Sequence, residues 1–179
     1  VYEAKQQSKL RKRVQLAILM VAAMSILAVI LYMTLQPKGS KIVTVGDSLP
    51  QIELLSLEDE KRTLKAQDGP MLINLWASWC KPCINELPLL NEAQAFAPEV
   101  AFVAINMKED FDKITPMIER YDLTMEVLRD EELAWKRALG VQGYPVSVLI
   151  DAEGTIQRIH HGAYTEIDEI LEQIAEISS

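Results

Sequence analysis

Between Leu16 and Leu35 the chain runs for 20 residues without a charged side chain, "LAILMVAAMSILAVILYMTL". As a helix rising ~1.5 Å per residue this stretch measures about 30 Å, the thickness of a bilayer's hydrocarbon interior. A helix buried in a globular core rarely needs so long an uncharged run. A cleaved secretory signal has a shorter apolar centre, ~7–15 residues, and a small-x-small cleavage site, which the following "TLQPKGSK" lacks. No cysteine lies close by to accept a lipid. The segment is therefore expected to cross the bilayer once, as an uncleaved anchor over residues 16–35. Five bases (Lys5, Lys9, Arg11, Lys12, Arg13) and one acid (Glu3) precede it, whereas only Lys38 and Lys41 closely follow. The positive-inside bias then places residues 1–15, a basic tail, in the cytoplasm, and everything after the anchor outside a bacterial cell membrane.

Residues 36–45 read as a short polar linker, and 46–179 as one domain of ordinary size. Beyond residue 35 the chain carries 25 acids against 13 bases. Such a body repels phosphates, so nucleic acid is not an expected partner. "IELLSL" (Ile52–Leu57) and "KRTL" (Lys61–Leu64) flank an acidic turn and predict a hairpin. "MLINLW" (Met71–Trp76) and "VAFVAIN" (Val100–Asn106) are short continuous apolar runs, as central strands buried on both faces require. Between them a helix is expected from about Cys80 to Ala97. Phe111, Ile114, Met117, Ile118 and Tyr121 recur at helical spacing, with Pro116 either kinking that helix or sitting in its first turn. "TMEVLRD" predicts a further strand and "EELAWKRAL" a further helix. "PVSVLID" and "TIQRIHH" flank "AEG", a three-residue turn with glycine where positive φ is needed. Ile167, Ile170, Leu171, Ile174 and Ile177 mark a closing amphipathic helix, with Thr165 as its expected N-cap. The sum is an α/β domain, a central sheet with helices on both faces.

The chain has two cysteines, Cys80 and Cys83, in "WASWCKPCINELP". On a helix start they lie at i and i+3, on one face, where a disulfide can close across a turn. So small a loop contributes little to stability through chain entropy, which argues against a structural staple. A structural zinc site needs four ligands. His160 and His161 are the only histidines, and as strand neighbours they point to opposite faces. Redox chemistry fits better. A cysteine at a helix N-terminus faces unpaired N–H groups and the positive end of the dipole, which favour thiolate. Cys80 is then the exposed nucleophile that attacks a substrate disulfide, and Cys83, one turn deeper, resolves the mixed disulfide. Lys81 and Pro82 between them tune the pair. Pro82 is tolerated near a helix start, and Lys81 can either stabilise a nearby thiolate or stand as a solvated surface lysine.

These residues resemble the thioredoxin superfamily. Trp76-Ala-Ser-Trp-Cys-Lys-Pro-Cys, with Pro88 five residues after Cys83, is similar to its active-site strand-to-helix turn, and the likeness runs from about Gly46 to Ile177. It implies a thioredoxin-like mixed sheet, with Pro145 as a cis-proline opposite the dithiol and Tyr144 offering backbone to an extended substrate. Trp79 is the flanking tryptophan expected at the substrate groove. Two departures mark a branch: Asn74 stands where ordinary thioredoxins have a buried aspartate, and a carboxylate appears at Glu86 instead. Together with the anchor, the leading hairpin and an added segment over about 107–135, this resembles the membrane-anchored ResA/TlpA/CcmG type. That resemblance implies an extracytoplasmic thiol–disulfide oxidoreductase that reduces protein disulfides, apocytochrome c among them, during cytochrome c maturation. Its electrons would come from a membrane thiol donor. It also implies that Glu86 sets the acid–base behaviour of the cysteines; without it, a first-turn glutamate favoured by the helix dipole would suffice. No cofactor is expected beyond the Cys80–Cys83 disulfide, and no metal. The alternative is a copper-handling protein of the same fold using these cysteines, since soft thiolates suit Cu(I).

Overall fold

The computed structural model describes residues 2–35 and 42–177; in the first stretch, side chains are described only at 15, 16 and 18–32. The chain divides into two compact units, residues 1–40 and 41–179. The first holds one helix, α1 (Tyr2–Leu35). Its large apolar side chains from Leu16 to Tyr32 are 53–68% exposed. Among the described residues no helix is long and apolar enough to cross a membrane. The span expected over 16–35 falls partly on positions 17 and 33–35, whose side chains lie outside the described residues, as do those of nearly all the basic tail.

In the second unit a seven-stranded mixed sheet runs β2-β1-β5-β4-β3-β6-β7. Its strands are β1 (Glu53–Leu55), β2 (Lys61–Thr63), β3 (Met71–Trp76), β4 (Ala101–Asn106), β5 (Glu126–Arg129), β6 (Val146–Ile150) and β7 (Ile156–His161). The helices are α2 (Lys81–Phe96), α3 (Phe111–Arg120), α4 (Ala134–Leu139) and α5 (Ile167–Ala175). β3, β4 and β5 are parallel, while β6 lies antiparallel to β3 and β1 antiparallel to β5. Pleating sends successive side chains to opposite faces. Leu72 and Trp76 therefore join a core built with Leu87 and Leu90 of α2, Ile114 of α3 and Ile170 and Ile174 of α5. Met71, Ile73 and Leu75 join a second core with Trp135 and Leu139 of α4. Helices thus cover both faces, which is why β3 reads as an uninterrupted buried run.

The register Trp76–Asn106–Arg129 aligns the carboxyl ends of the three parallel strands. The segment leaving the end of β3 carries the cysteines. Of the expected linker, 36–41 lies outside the described residues, whereas Val43 already donates its N–H to Ala138 O at 2.8 Å. The Asp151–Thr155 turn holds Gly154 at φ 80°, as the "AEG" pattern requires.

Two local expectations need correction. The N-cap of α5 is Glu166, not Thr165, and it makes no side-chain cap bond; Asp168 and Glu169 supply first-turn negative charge instead. α4 starts at Ala134 rather than at the preceding glutamates. The Asp130 carboxylate accepts from the N–H groups of Ala134 (2.9 Å) and Trp135 (2.8 Å), fixing the start from upstream. Of the two positions expected for Pro116, the structure has the one inside α3, past its first turn and on the exposed side.

Candidate active site

Cys80 is the N-cap of α2, in extended conformation (φ −87°, ψ 97°), and Pro82 sits in the first turn where its missing N–H costs little. The Cys80 sulfur accepts from the Cys83 N–H at 3.3 Å. The two sulfurs are bonded to each other, with a Cα–Cα distance of 5.3 Å. Residue exposure is 6% for Cys80 and 0% for Cys83. The order of access is the expected one, but Cys80 is more covered than an exposed nucleophile would be. In this oxidised state it belongs to the apolar cluster that includes Trp76 and Ala77, with Tyr144 packed against it. Lys81 and Pro82 are both exposed on the first turn.

Beside the dithiol, Tyr144–Pro145 is a cis peptide and Pro145 is buried. Trp79 is 71% exposed and meets the Tyr144 ring edge-on, centroids 6.0 Å apart. These two aromatics line a groove of about 490 Å³ together with Met107, Lys108, Leu133 and Lys136. Trp76, by contrast, is wholly buried packing. The exposed Trp79 ring presents apolar surface to whatever enters this groove.

Glu86 is not a first-turn glutamate. It lies in the second turn of α2, one turn beyond Cys83 on the inward face, and is fully buried. Its carboxylate accepts from Asn74 Nδ2 (2.7 Å) and from the Tyr164 backbone N–H (2.8 Å). Burial raises its pKa from 4.5 to about 7, with those two hydrogen bonds pulling the other way. A dipole-favoured surface glutamate would show neither burial nor this elevation. The ionisation of Glu86 is thus moved from the acid range to near neutral pH.

Sequence reasoning singled out Asn74 only as a departure. In the folded domain its Nδ2 donates to Glu86 and also to Ser147 Oγ at 3.0 Å. Asn74 and Ser147 pair directly across β3 and β6. The signal was present, since each is the lone polar residue in an apolar run whose neighbours are all buried. Tyr164 was missed too; its ring stacks on His160 at 4.1 Å and its hydroxyl donates to Gln173 at 2.7 Å. Burial lowers the His160 pKa. On the other side of the turn, Glu109 accepts from the N–H and the hydroxyl of Ser78, a contact no motif announced. Among the described residues, no group of three or more His, Cys, Asp or Glu side chains is arranged to hold a metal.

Comparison with known proteins agrees with this geometry. The Redoxin family model matches residues 44–174. The thioredoxin-like protein YneN of Bacillus subtilis is 33% identical over 126 residues, covering 68% of this chain and 74% of its own. The thiol-disulfide oxidoreductase ResA of Geobacillus thermodenitrificans is 29% identical over 167 residues, 92% of this chain and 94% of its own. A solved structure of a secreted Mycobacterium tuberculosis disulfide oxidoreductase homologous to E. coli DsbE superposes with a TM-score of 0.64 at 25% identity. It covers 70% of this chain and 96% of that one.

Proposed function

The chain belongs to the Redoxin family, as a thioredoxin-superfamily thiol–disulfide oxidoreductase of the ResA/CcmG type, and from that premise we propose that it reduces protein disulfides outside the cell membrane. The family acts on disulfide-containing proteins; the substrate proposed here is apocytochrome c, before haem attachment. A membrane thiol donor re-reduces the pair, and the electrons reside on Cys80 and Cys83 with no other cofactor. Residues 16–35 anchor the domain, with the N-terminal tail in the cytoplasm. The all-round exposure of apolar side chains on α1 supports the anchor, because such a surface has no partner in water.

The observation that carries the dithiol-exchange reading is the Cys80–Cys83 pair at the start of α2 with the buried Glu86 one turn beyond it, its pKa near 7; the reductive direction follows the resemblance to the ResA type. In the forward step the Cys80 thiolate attacks one sulfur of the substrate disulfide, and the other leaves as a thiolate that takes up a proton. Glu86 accepts the proton of the Cys83 thiol, and the resulting thiolate attacks Cys80. The substrate's second sulfur departs and is protonated. Two electrons have passed from the protein dithiol to the substrate; its two thiolates take one proton from Cys83 by way of Glu86 and one from solvent, which equals the proton Cys80 released on ionising. A base placed on the resolving cysteine serves release of a reduced product.

The deciding measurement is the reduction potential of the Cys80–Cys83 pair, together with the yield of dithiol when reduced protein meets oxidised apocytochrome c. The expected potential lies near the ~−270 mV of reductants such as thioredoxin. A value near the ~−120 mV of strong oxidants, with no dithiol formed, would overturn the proposal. Labelling of intact cells with a membrane-impermeant thiol reagent tests the placement; a protein protected until lysis would refute it.

A further inference from the structure

Ser78, two residues before Cys80, lies in the segment between the end of the β3 ladder and the start of α2. Its N–H turns to the loop after β4 and meets Glu109 Oε2 at 2.6 Å, while its hydroxyl donates to Glu109 Oε1 at 2.6 Å. Glu109 is itself fixed. Asn106, fully buried at the end of β4, donates from Nδ2 to Oε2 at 2.8 Å and accepts the Glu109 N–H at 3.1 Å. Lys108, at φ 59°, turns the chain between them. The Met107 N–H closes the arrangement on Trp76 O at 2.9 Å. Charge-assisted bonds of this length are the strong ones, and three of them meet on one carboxylate.

We propose that Glu109 is a positioning residue for disulfide exchange, holding the Ala77–Cys80 turn so that Cys80 and Trp79 face the cis-Pro145 side at a fixed height. Attack on a disulfide needs three sulfurs nearly in line, and small misplacements of reacting atoms cost large factors in rate. Glu109 touches neither sulfur nor substrate; it acts through Ser78. The clasp joins the segments leaving β3 and β4 beyond the last ladder pair, adding to the Met107 N–H to Trp76 O bond. The clasp bears on the exchange step of the dithiol chemistry proposed above, and it does so whichever way electrons flow.

The test uses the reduced full chain and two reagents, a disulfide-closed two-cysteine peptide and iodoacetamide, each followed from pH 5 to 9. Peptide exchange requires an aligned sulfur; alkylation requires only a thiolate that is reachable. Glu109→Ala is expected to lower the high-pH plateau of exchange at least ten-fold while leaving alkylation within two-fold of wild type. Glu109→Gln, which keeps an acceptor for the Ser78 N–H and can donate to its hydroxyl, is expected to recover exchange to within three-fold. Exchange by Glu109→Ala within two-fold of wild type overturns the proposal. So does an equal loss in the alanine and glutamine variants, which assigns the effect to charge, and so does a parallel fall in alkylation. If Glu109→Ala does not fold, Ser78→Ala is read instead: it removes one bond of the clasp and should slow exchange about three-fold, and no slowing refutes the idea.

Discussion

Replacing Glu86 by glutamine should make the domain more stable at alkaline pH and, at the same time, poorer at exchange. The first half follows from linkage. A carboxyl group raised from 4.5 in the unfolded chain to about 7 when folded binds its proton more tightly in the native state. Its contribution is therefore fully present below the unfolded value and is lost as pH rises through the folded one. Between pH 5 and 8.5 the loss amounts to about 2.5 kcal/mol, from 1.36 kcal/mol per unit of difference and the populations at each pH. The amide cannot ionise, so Glu86→Gln should lack this component. It can still accept from the Tyr164 N–H, which keeps the replacement close in shape. The assay is urea unfolding of the oxidised full chain, followed by tryptophan fluorescence; all three tryptophans (Trp76, Trp79, Trp135) lie in the sheet domain and report on it alone. The quantity of interest is the wild-type minus variant stability at each pH, so that groups titrating equally in both cancel. A difference that falls by about 2.5 kcal/mol on going from pH 5 to 8.5 is expected, with most of the fall between pH 5 and about 7 and little above it. Parallel profiles would refute the claim that Glu86 ionises inside the core, and with it the proton-acceptor role.

Removing the Asn74 amide (Asn74→Ala) takes away a hydrogen bond that holds the Glu86 pKa down, so the carboxyl should titrate still higher; carbon NMR of the Glu86 carboxyl checks the direction. In the reduced protein Cys80, at the start of α2 with the Cys83 N–H on its sulfur, should titrate below the ~8.5 of a free thiol, read from alkylation rate against pH. Cys83→Ala should accumulate mixed disulfides through Cys80, visible on non-reducing gels, because the resolving sulfur is gone. Trp79→Ala should weaken peptide binding, seen as a raised KM, while changing stability by no more than ~0.5 kcal/mol, since the ring is exposed.

The architecture was legible because its strongest signals are local. Met71–Trp76 and Val100–Asn106 are apolar at every position but the asparagines and the chain allows only a buried strand there; Gly154 demands its turn; the cysteine spacing demands a helix start. Element ends were harder, and for a physical reason: they depend on partners distant in sequence. α4 begins where Asp130 reaches forward to cap it, and the hairpin strands are only three residues each because β1 meets β5 at a single register pair, Leu55 with Arg129. Arg129 also binds Asp59 of the hairpin turn and lies over the Phe111 ring, a tie that periodicity does not reveal. In the site, cysteines, cis-proline and Glu86 announced themselves through motif and resemblance. The groups hydrogen-bonded around them did not. Asn74 and Ser147 are legible only once the sheet register sets them side by side, and Ser78 and Glu109 are 31 residues apart.

Two glutamates near the dithiol sit in different surroundings, which suit the two roles proposed for them. Glu109 is half-buried and takes three donors, Ser78 N–H, Ser78 hydroxyl and Asn106 amide, all at 2.6–2.8 Å, an arrangement suited to an anchor. Glu86 is fully buried with two donors, one of them the side chain of a residue on a neighbouring strand. The small number matters. Carboxylates that collect several backbone N–H bonds are held firmly ionised, whereas a buried one with none stays protonated. Two donors against complete burial leave the group near pH 7, the range the proposed proton transfer from Cys83 requires. An aliphatic side chain at position 86 would pack this core at lower cost. The loss of stability at alkaline pH is thus the thermodynamic counterpart of the raised proton affinity at position 86, and a variant that removed one while keeping the other would break the connection between them.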